Sequence, residues 1–303
     1  MIRSTIIATA LTGAAFALLH GHTARAHGIA GDRVFPATLT IDDPAVGDEL
    51  SLPTIDSYTV GDTGTGNGYR QHDYGFEWDK TITKDFGFAI DDGYTREDLN
   101  AGGHLQGGQD LTLTLKWANY VNPEHEFMTS LGVIRQFGET GSSTVDNPAS
   151  STQPTLYFGK GLGELPIGYL RPLAITGTTG YGFQDKPNLH PNFINAGFSI
   201  QYSMPYLHSQ VKDLGLPDFI NRMIPLVEGN LTQSVGPIAN GAQMSGTISP
   251  GVLYEADTWQ VGAEALLPVN KATNQGGGFI VQFHFFLDDI LPDSLGAPLF
   301  GGN

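Results

Sequence analysis

Long runs in which apolar and polar side chains alternate one by one constrain this chain most. From His72 to Ile82 one face carries His72, Tyr74, Phe76, Trp78, Lys80 and Ile82, and the other carries Asp73, Gly75, Glu77, Asp79 and Thr81. Successive side chains of a strand point to opposite faces, so a period of two marks strands. After a short Thr83-Lys84-Asp85 turn, Phe86, Phe88 and Ile90 face away from Gly87, Ala89 and Asp91. The same pattern recurs in 111–118 and 127–137, joined by an Asn122-Pro123-Glu124-His125 turn, and in 198–204, 259–267 and 279–287. Weaker candidates occupy 154–161, 167–183, 222–233 and 241–256, giving eleven or twelve strands between residues 69 and 288. The stretches 57–68, 138–153 and 184–192, rich in Gly, Ser, Thr, Asn, Asp and Pro, read as loops. Residues 207–226 read as a loop with a short amphipathic helix.

A dozen antiparallel strands can close as a sandwich, a soluble barrel or a membrane barrel. The runs are about 10 residues or longer, which suits a spanning strand at barrel tilt, whereas sandwich strands centre on about 5 or 6. The faces opposite the apolar ones carry small and polar residues, as a wet lumen requires. Of Tyr69, Trp78, Trp117, Tyr120, Tyr202, Tyr206 and Trp259, several fall near strand ends, where interfacial aromatic girdles form. After residue 27 no apolar run reaches the length of a spanning helix. The expected fold is therefore all-β: a transmembrane antiparallel β-barrel of about 12 strands, with a soluble all-β protein as the alternative.

The first residues fit export. Arg3 precedes an apolar run, Ser4 to Leu19, and Ala24-Arg25-Ala26 offers a cleavage site before His27. The expected organisation is a signal peptide over 1–26, then a periplasmic segment with a first strand or plug-like loop over 27–68. The barrel would span 69–288, with a tail over 289–303. Net formal charge is −16, which disfavours nucleic-acid partners. There is no cysteine, which removes disulfides, thiolate chemistry and Cys-based metal sites.

The segments HGIAGDRVFPATLTIDDPAVGDELSLP (27–53) and WQVGAEALLPVNKATNQGGGFIVQFHFFLDDILP (259–292) resemble a family of uncharacterised proteobacterial exported proteins. These are grouped loosely with the outer-membrane proteins named after the MetA pathway of phenol degradation, often labelled transporters. The resemblance implies an outer-membrane barrel passing small solutes, and carries no catalytic residues. Such barrels commonly end on a terminal aromatic that signals assembly by the barrel assembly machinery. Here the chain runs on past Leu287, so the tail is expected to fold back at the periplasmic rim or to include Phe300 in an unread element.

Candidate lumen residues follow from phase. Glu77, Asp79, Asp91, Glu228, Glu255 and Glu264 share the inward phase, where carboxylates favour cations over anions. Arg70, Lys116 and Lys160 could pair with some of them, and Gln282 and His284 lie inward on the last strand. His27, at the expected mature N-terminus, could offer amine and imidazole to copper, although no HxxxH or HxH follows it. No G-x-S-x-G, P-loop or H-E-x-x-H is present, so no enzymatic activity and no cofactor are expected. The leading function is an outer-membrane channel for a small solute, in contact with lipid. The alternatives are a non-transporting binding or structural all-β protein of the cell envelope, and a copper-binding protein using His27.

Overall fold

The computed structural model describes residues 28–62, 68–145 and 149–300. The expected signal peptide and His27 lie outside these residues. A short hairpin, β1 (Gly28–Ala30) and β2 (Arg33–Phe35), opens the described chain. Twelve long strands then follow: β3 (Glu49–Val60), β4 (Tyr69–Thr83), β5 (Phe86–Leu99), β7 (Thr112–Asn122), β8 (Phe127–Gln136), β9 (Ser151–Gly161), β10 (Leu173–Gln184), β11 (Asn192–Tyr202), β12 (Met223–Val235), β13 (Ser245–Glu255), β14 (Trp259–Pro268) and β15 (Gln275–Phe286). A short β6 (His104–Gly108) pairs with the outer half of β5. Each long strand pairs antiparallel with the next, and β15 pairs with β3, so the sheet closes on itself. An even strand number returns the last strand to the end where the first began, with Phe286 opposite Glu49.

The barrel is inside out relative to a soluble protein. Leu115, Trp117, Leu131, Val133, Leu156, Ile200, Phe279 and Phe283 are exposed on its outer surface. Their immediate neighbours Ser130, Thr155, Ser199 and Gln282 are buried inside. In water that arrangement would strand an apolar belt in solvent. In a bilayer it is what a closed strand barrel requires, because closure satisfies every backbone group within hydrocarbon. Aromatic pairs sit at both ends: Tyr120–Phe127 and Tyr254–Trp259 near the end shared by β3 and β15, and Tyr181–Phe183 near the other. The chain is thus an outer-membrane β-barrel, its strands 10 to 15 residues long. Tyr206 does not join a girdle; its ring lies 3.7 Å under the Arg33 guanidinium at the periplasmic end.

The first barrel strand starts at Glu49, earlier than the alternation suggested, and residues 57–60, read as loop, belong to it. Alternation hides β3 because its register against β4 shifts between Ser51 and Thr54. Such a bulge moves the inward set from Glu49 and Ser51 to Thr54 and Asp56, so no single period spans the strand. Strand β9 likewise begins at Ser151, inside a stretch expected to be loop, while 167–172 is a turn with one 3-10 turn rather than the start of β10. Residues 204–221 hold three very short helical turns.

The segment 36–48, between β2 and β3, runs through the barrel interior. Pro36, Pro44 and the Asp42-Asp43 pair give it no ladder-forming sequence, so its backbone needs other partners. The wall supplies them. Glu228 of β12 accepts from the Leu39 and Thr40 backbone N–H groups at 3.1 and 2.6 Å. Gln260 of β14 donates to the Ala37 carbonyl at 2.7 Å, and Ser130 of β8 donates to that of Pro44. Two glycines make room: a Cβ on Gly262 would sit 2.5 Å from Leu39, and one on Gly197 2.5 Å from Ile41. Leu39 of the segment belongs to an apolar cluster with Ile224, Leu226, Leu253, Leu266 and Ile280.

Past Leu287 the tail folds back along β4 at the rim. Lys80 pairs with Asp48 at 2.6 Å and donates to the Leu295 and Ala297 carbonyls. The Leu299 and Phe300 N–H groups donate to the Thr81 and Ile82 carbonyls.

Candidate functional site: an acidic chamber in the lumen

Between segment 36–48 and the wall made by β15, β3, β4, β5 and β7 lies a cavity of about 270 Å³. Cross-strand register explains its lining. One row runs across four strands as His284, Ser51, Glu77 and Asp91, each paired with the next. The adjacent row toward the loop end runs Gln282, Thr54 and Gly75. On the periplasmic side Asp79 pairs with Glu49. The threading segment contributes Asp42 and Asp43, and β7 contributes Lys116.

Six carboxylates therefore line one chamber: Asp42, Asp43, Glu49, Glu77, Asp79 and Asp91. Two cationic or titratable bases face them. Lys116 is held by Asp42 at 2.7 Å and donates to the Asp43 carbonyl at 3.1 Å. His284 approaches Glu49 through Nε2 at 2.9 Å and Ser51 through Nδ1 at 2.9 Å. Glu77, Asp79 and Asp91 are left without an ion pair among the described residues. Carboxylates stacked in a partly dehydrated chamber repel one another, so they take up protons or bound cations and disfavour an entering anion.

Phase placed six candidate residues in this one chamber: Glu77, Asp79, Asp91, Lys116, Gln282 and His284. Glu228 and Glu264 are also buried in the lumen, but on the far side of the threading segment, where Glu228 holds the segment's backbone. Glu255 sits instead at the periplasmic rim, lining an open groove with Arg222, Asp257 and Asp289. Among the described residues no three His, Asp or Glu side chains are grouped to hold a metal ion. The copper expectation concerns His27, outside them. Sequence reasoning missed Asp42, Asp43, Glu49 and Ser51. The first two lie in a segment without periodicity, and the last two precede the β3 bulge.

The segment is pinned at its periplasmic end. Arg33 is fully buried and pairs with Glu126 at 3.1 Å. Its guanidinium also donates to the carbonyls of Arg171 and Pro172. Tyr206 donates to Glu126 at 2.7 Å. Burial, then the Glu126 carboxylate, push the Tyr206 hydroxyl up to about 12, so it stays protonated as a donor.

No family model matches the chain, and no curated protein does. Among solved structures the chain is similar to the KdgM porin, at 12% identity over 77% of this chain and 98% of that one, TM-score 0.45. It is also similar to LpxR from Salmonella typhimurium, at 6% identity over 78% and 99%, TM-score 0.44. A third is the outer membrane phospholipase A from Escherichia coli, at 9% identity over 82% and 93%, TM-score 0.41. At such values these likenesses carry no argument about what the chain does; the barrel stands on its own register and sidedness.

Proposed function

We propose that the protein is an outer-membrane channel for a small, positively charged solute, narrowed by its own segment 36–48. What supports this is the chamber's chemistry: six carboxylates line it beside only Lys116 and His284. Carboxylates on a pore wall attract cations and repel anions. The segment leaves this side of the lumen open while its backbone is bound on the other. The resemblance of 27–53 and 259–292 to the phenol-degradation outer-membrane proteins agrees with passage of small solutes and does not name one.

The Ser51–His284–Glu49 arrangement has the hydroxyl–imidazole–carboxylate order of an acyl-transfer relay. We assign it a structural role. A developing alkoxide or oxyanion would face the surrounding carboxylates, which raise its energy, the reverse of what acyl transfer needs. The relay joins the first and last strands at the barrel seam, since Ser51 and His284 are paired across it.

One observation favours a second reading, a closed barrel that binds without conducting: segment 36–48 crosses the lumen and is bonded to wall residues on β7, β8, β12 and β14. Planar-bilayer recording in a potassium chloride gradient separates the two. The channel reading expects conductance steps with a cation-selective reversal potential. Anion selectivity removes the assigned role of the carboxylates, and absence of steps in any salt leaves the closed barrel.

A further inference from the structure

We propose that the chamber is a binding site for an organic cation bearing primary ammonium or guanidinium groups, held by Glu77, Asp79 and Asp91 with the Gln282 amide oxygen as a neutral acceptor. This rests on the channel reading for its physiological role, but the site itself is testable alone.

Four observations converge. Glu77 and Asp91 are direct cross-strand partners, and Asp79 projects to the same side as Glu77 two residues along β4. The chamber's own bases are already engaged, Lys116 by Asp42 and His284 by Glu49, so these three carboxylates have no basic partner of their own among the described residues. Independently of the acidic cluster, Gln282 lines the same chamber, is 8% exposed, and its Oε1 has no hydrogen-bond partner although its Nε2 donates to Thr54 at 3.0 Å. A buried amide oxygen left unpaired is unfavourable, and a ligand N–H satisfies it. Last, the space between Gln282 and the carboxylates is open: a Cβ on Gly75 would meet nothing nearer than 3.8 Å.

The ligand's chemistry follows from how these acceptors are spread. A bare metal ion needs oxygens converging at about 2 to 2.6 Å, and no such group of side chains exists among the described residues. Acceptors dispersed around a chamber suit a ligand with several N–H donors on a short carbon frame. Ammonium groups donate three hydrogen bonds and guanidinium five, and neither can accept one. A volume of about 270 Å³ is at the lower end of small-molecule sites, which sets the ligand at the size of a short diamine or a basic amino acid.

The test is calorimetric titration of the full-length detergent-solubilised protein with putrescine, with 1,4-butanediol as the uncharged analogue and magnesium chloride as the inorganic cation. Saturable putrescine binding is expected, with neither control matching it. Affinity should drop about tenfold or more in the double variant E77Q/D79N, and similarly in Gly75→Val, which fills the chamber without removing charge. Heat-modifiable gel migration reports whether each variant is folded, and Asp91→Asn serves where the double variant is not. Putrescine bound no more tightly than magnesium, or bound equally by the folded variants, overturns the site. Cation-selective conductance without saturable amine binding discards the site and leaves the channel. Amine binding without conductance leaves the site and discards the channel.

Discussion

The two sides of the lumen solve opposite problems with the same kind of wall. On the β12–β14 side, Leu39 is sunk among Ile224, Leu226, Leu253 and Leu266, and Glu228 and Gln260 satisfy the backbone of the threading segment. On the β3–β5 side residues 37–43 of the segment leave a gap, and Glu77, Asp79 and Asp91 line it. Polar wall residues are therefore not one class. Where the chain passes close, they replace water for a backbone that has no ladder; where it stands away, they are left for something else. An inward carboxylate on a barrel strand reports a lumen, and only its neighbour tells whether it seals or selects.

The strongest way to break this contrast is to remove the segment. Deleting residues 28–46 leaves every barrel strand in place, since β3 starts at Glu49. Single-channel conductance should rise by about an order of magnitude as the lumen opens; unchanged conductance would mean that the segment does not obstruct the path. Next in size is the periplasmic pin. Arg33→Ala strips a buried ion pair from Glu126 and two carbonyl partners. Breaking such a pair costs about 3–5 kcal/mol, so the heat-modifiable form should convert at a clearly lower temperature and the segment should become open to protease. A smaller effect is expected from Gly262→Val, whose side chain would collide with Leu39. Overpacking of this kind costs about 1–3 kcal/mol, and limited proteolysis should detect a loosened segment while the barrel still folds.

The smallest effect concerns the rim below the chamber. Burial, with Asp289 and Glu49 nearby, raises the Asp288 carboxyl to about 7. Its folded value lies above its ordinary 3.8, so the folded state prefers the protonated form. Its contribution to stability is greatest near pH 4, falls as pH rises toward 7, and is flat above. Asp288→Asn should flatten that part of the pH profile in urea unfolding; an unaltered slope between pH 5 and 8 would assign the dependence elsewhere.

The barrel was legible in the sequence wherever both faces of a strand kept one phase, as in β4, where Tyr74 and Phe76 turn outward and Glu77 and Asp79 inward. It was not legible in β3, because the shift after Ser51 exchanges the faces within the strand's first half. The chamber was half legible for the same reason. Phase identified Glu77, Asp91, Gln282 and His284, but Glu49 and Ser51 sit before the shift and Asp42 and Asp43 lie in a segment with no period at all. Nor could phase distinguish Glu228, which binds backbone, from Glu77, which faces space. That difference depends on where residues 36–48 pass, and their path is fixed by wall contacts far away in sequence, such as Leu39 against Gly262.

Sidedness underlies everything above, and two single-cysteine variants test it directly because the chain has no native cysteine. Asp91→Cys should react with a charged, water-soluble thiol reagent, and a fluorophore there should be indifferent to brominated lipid. A fluorophore on Leu115→Cys should be quenched by brominated lipid and the thiol shielded from the charged reagent. The reverse pattern, with residue 115 wet and residue 91 in contact with lipid, would contradict both the barrel's orientation and the acidic chamber inside it.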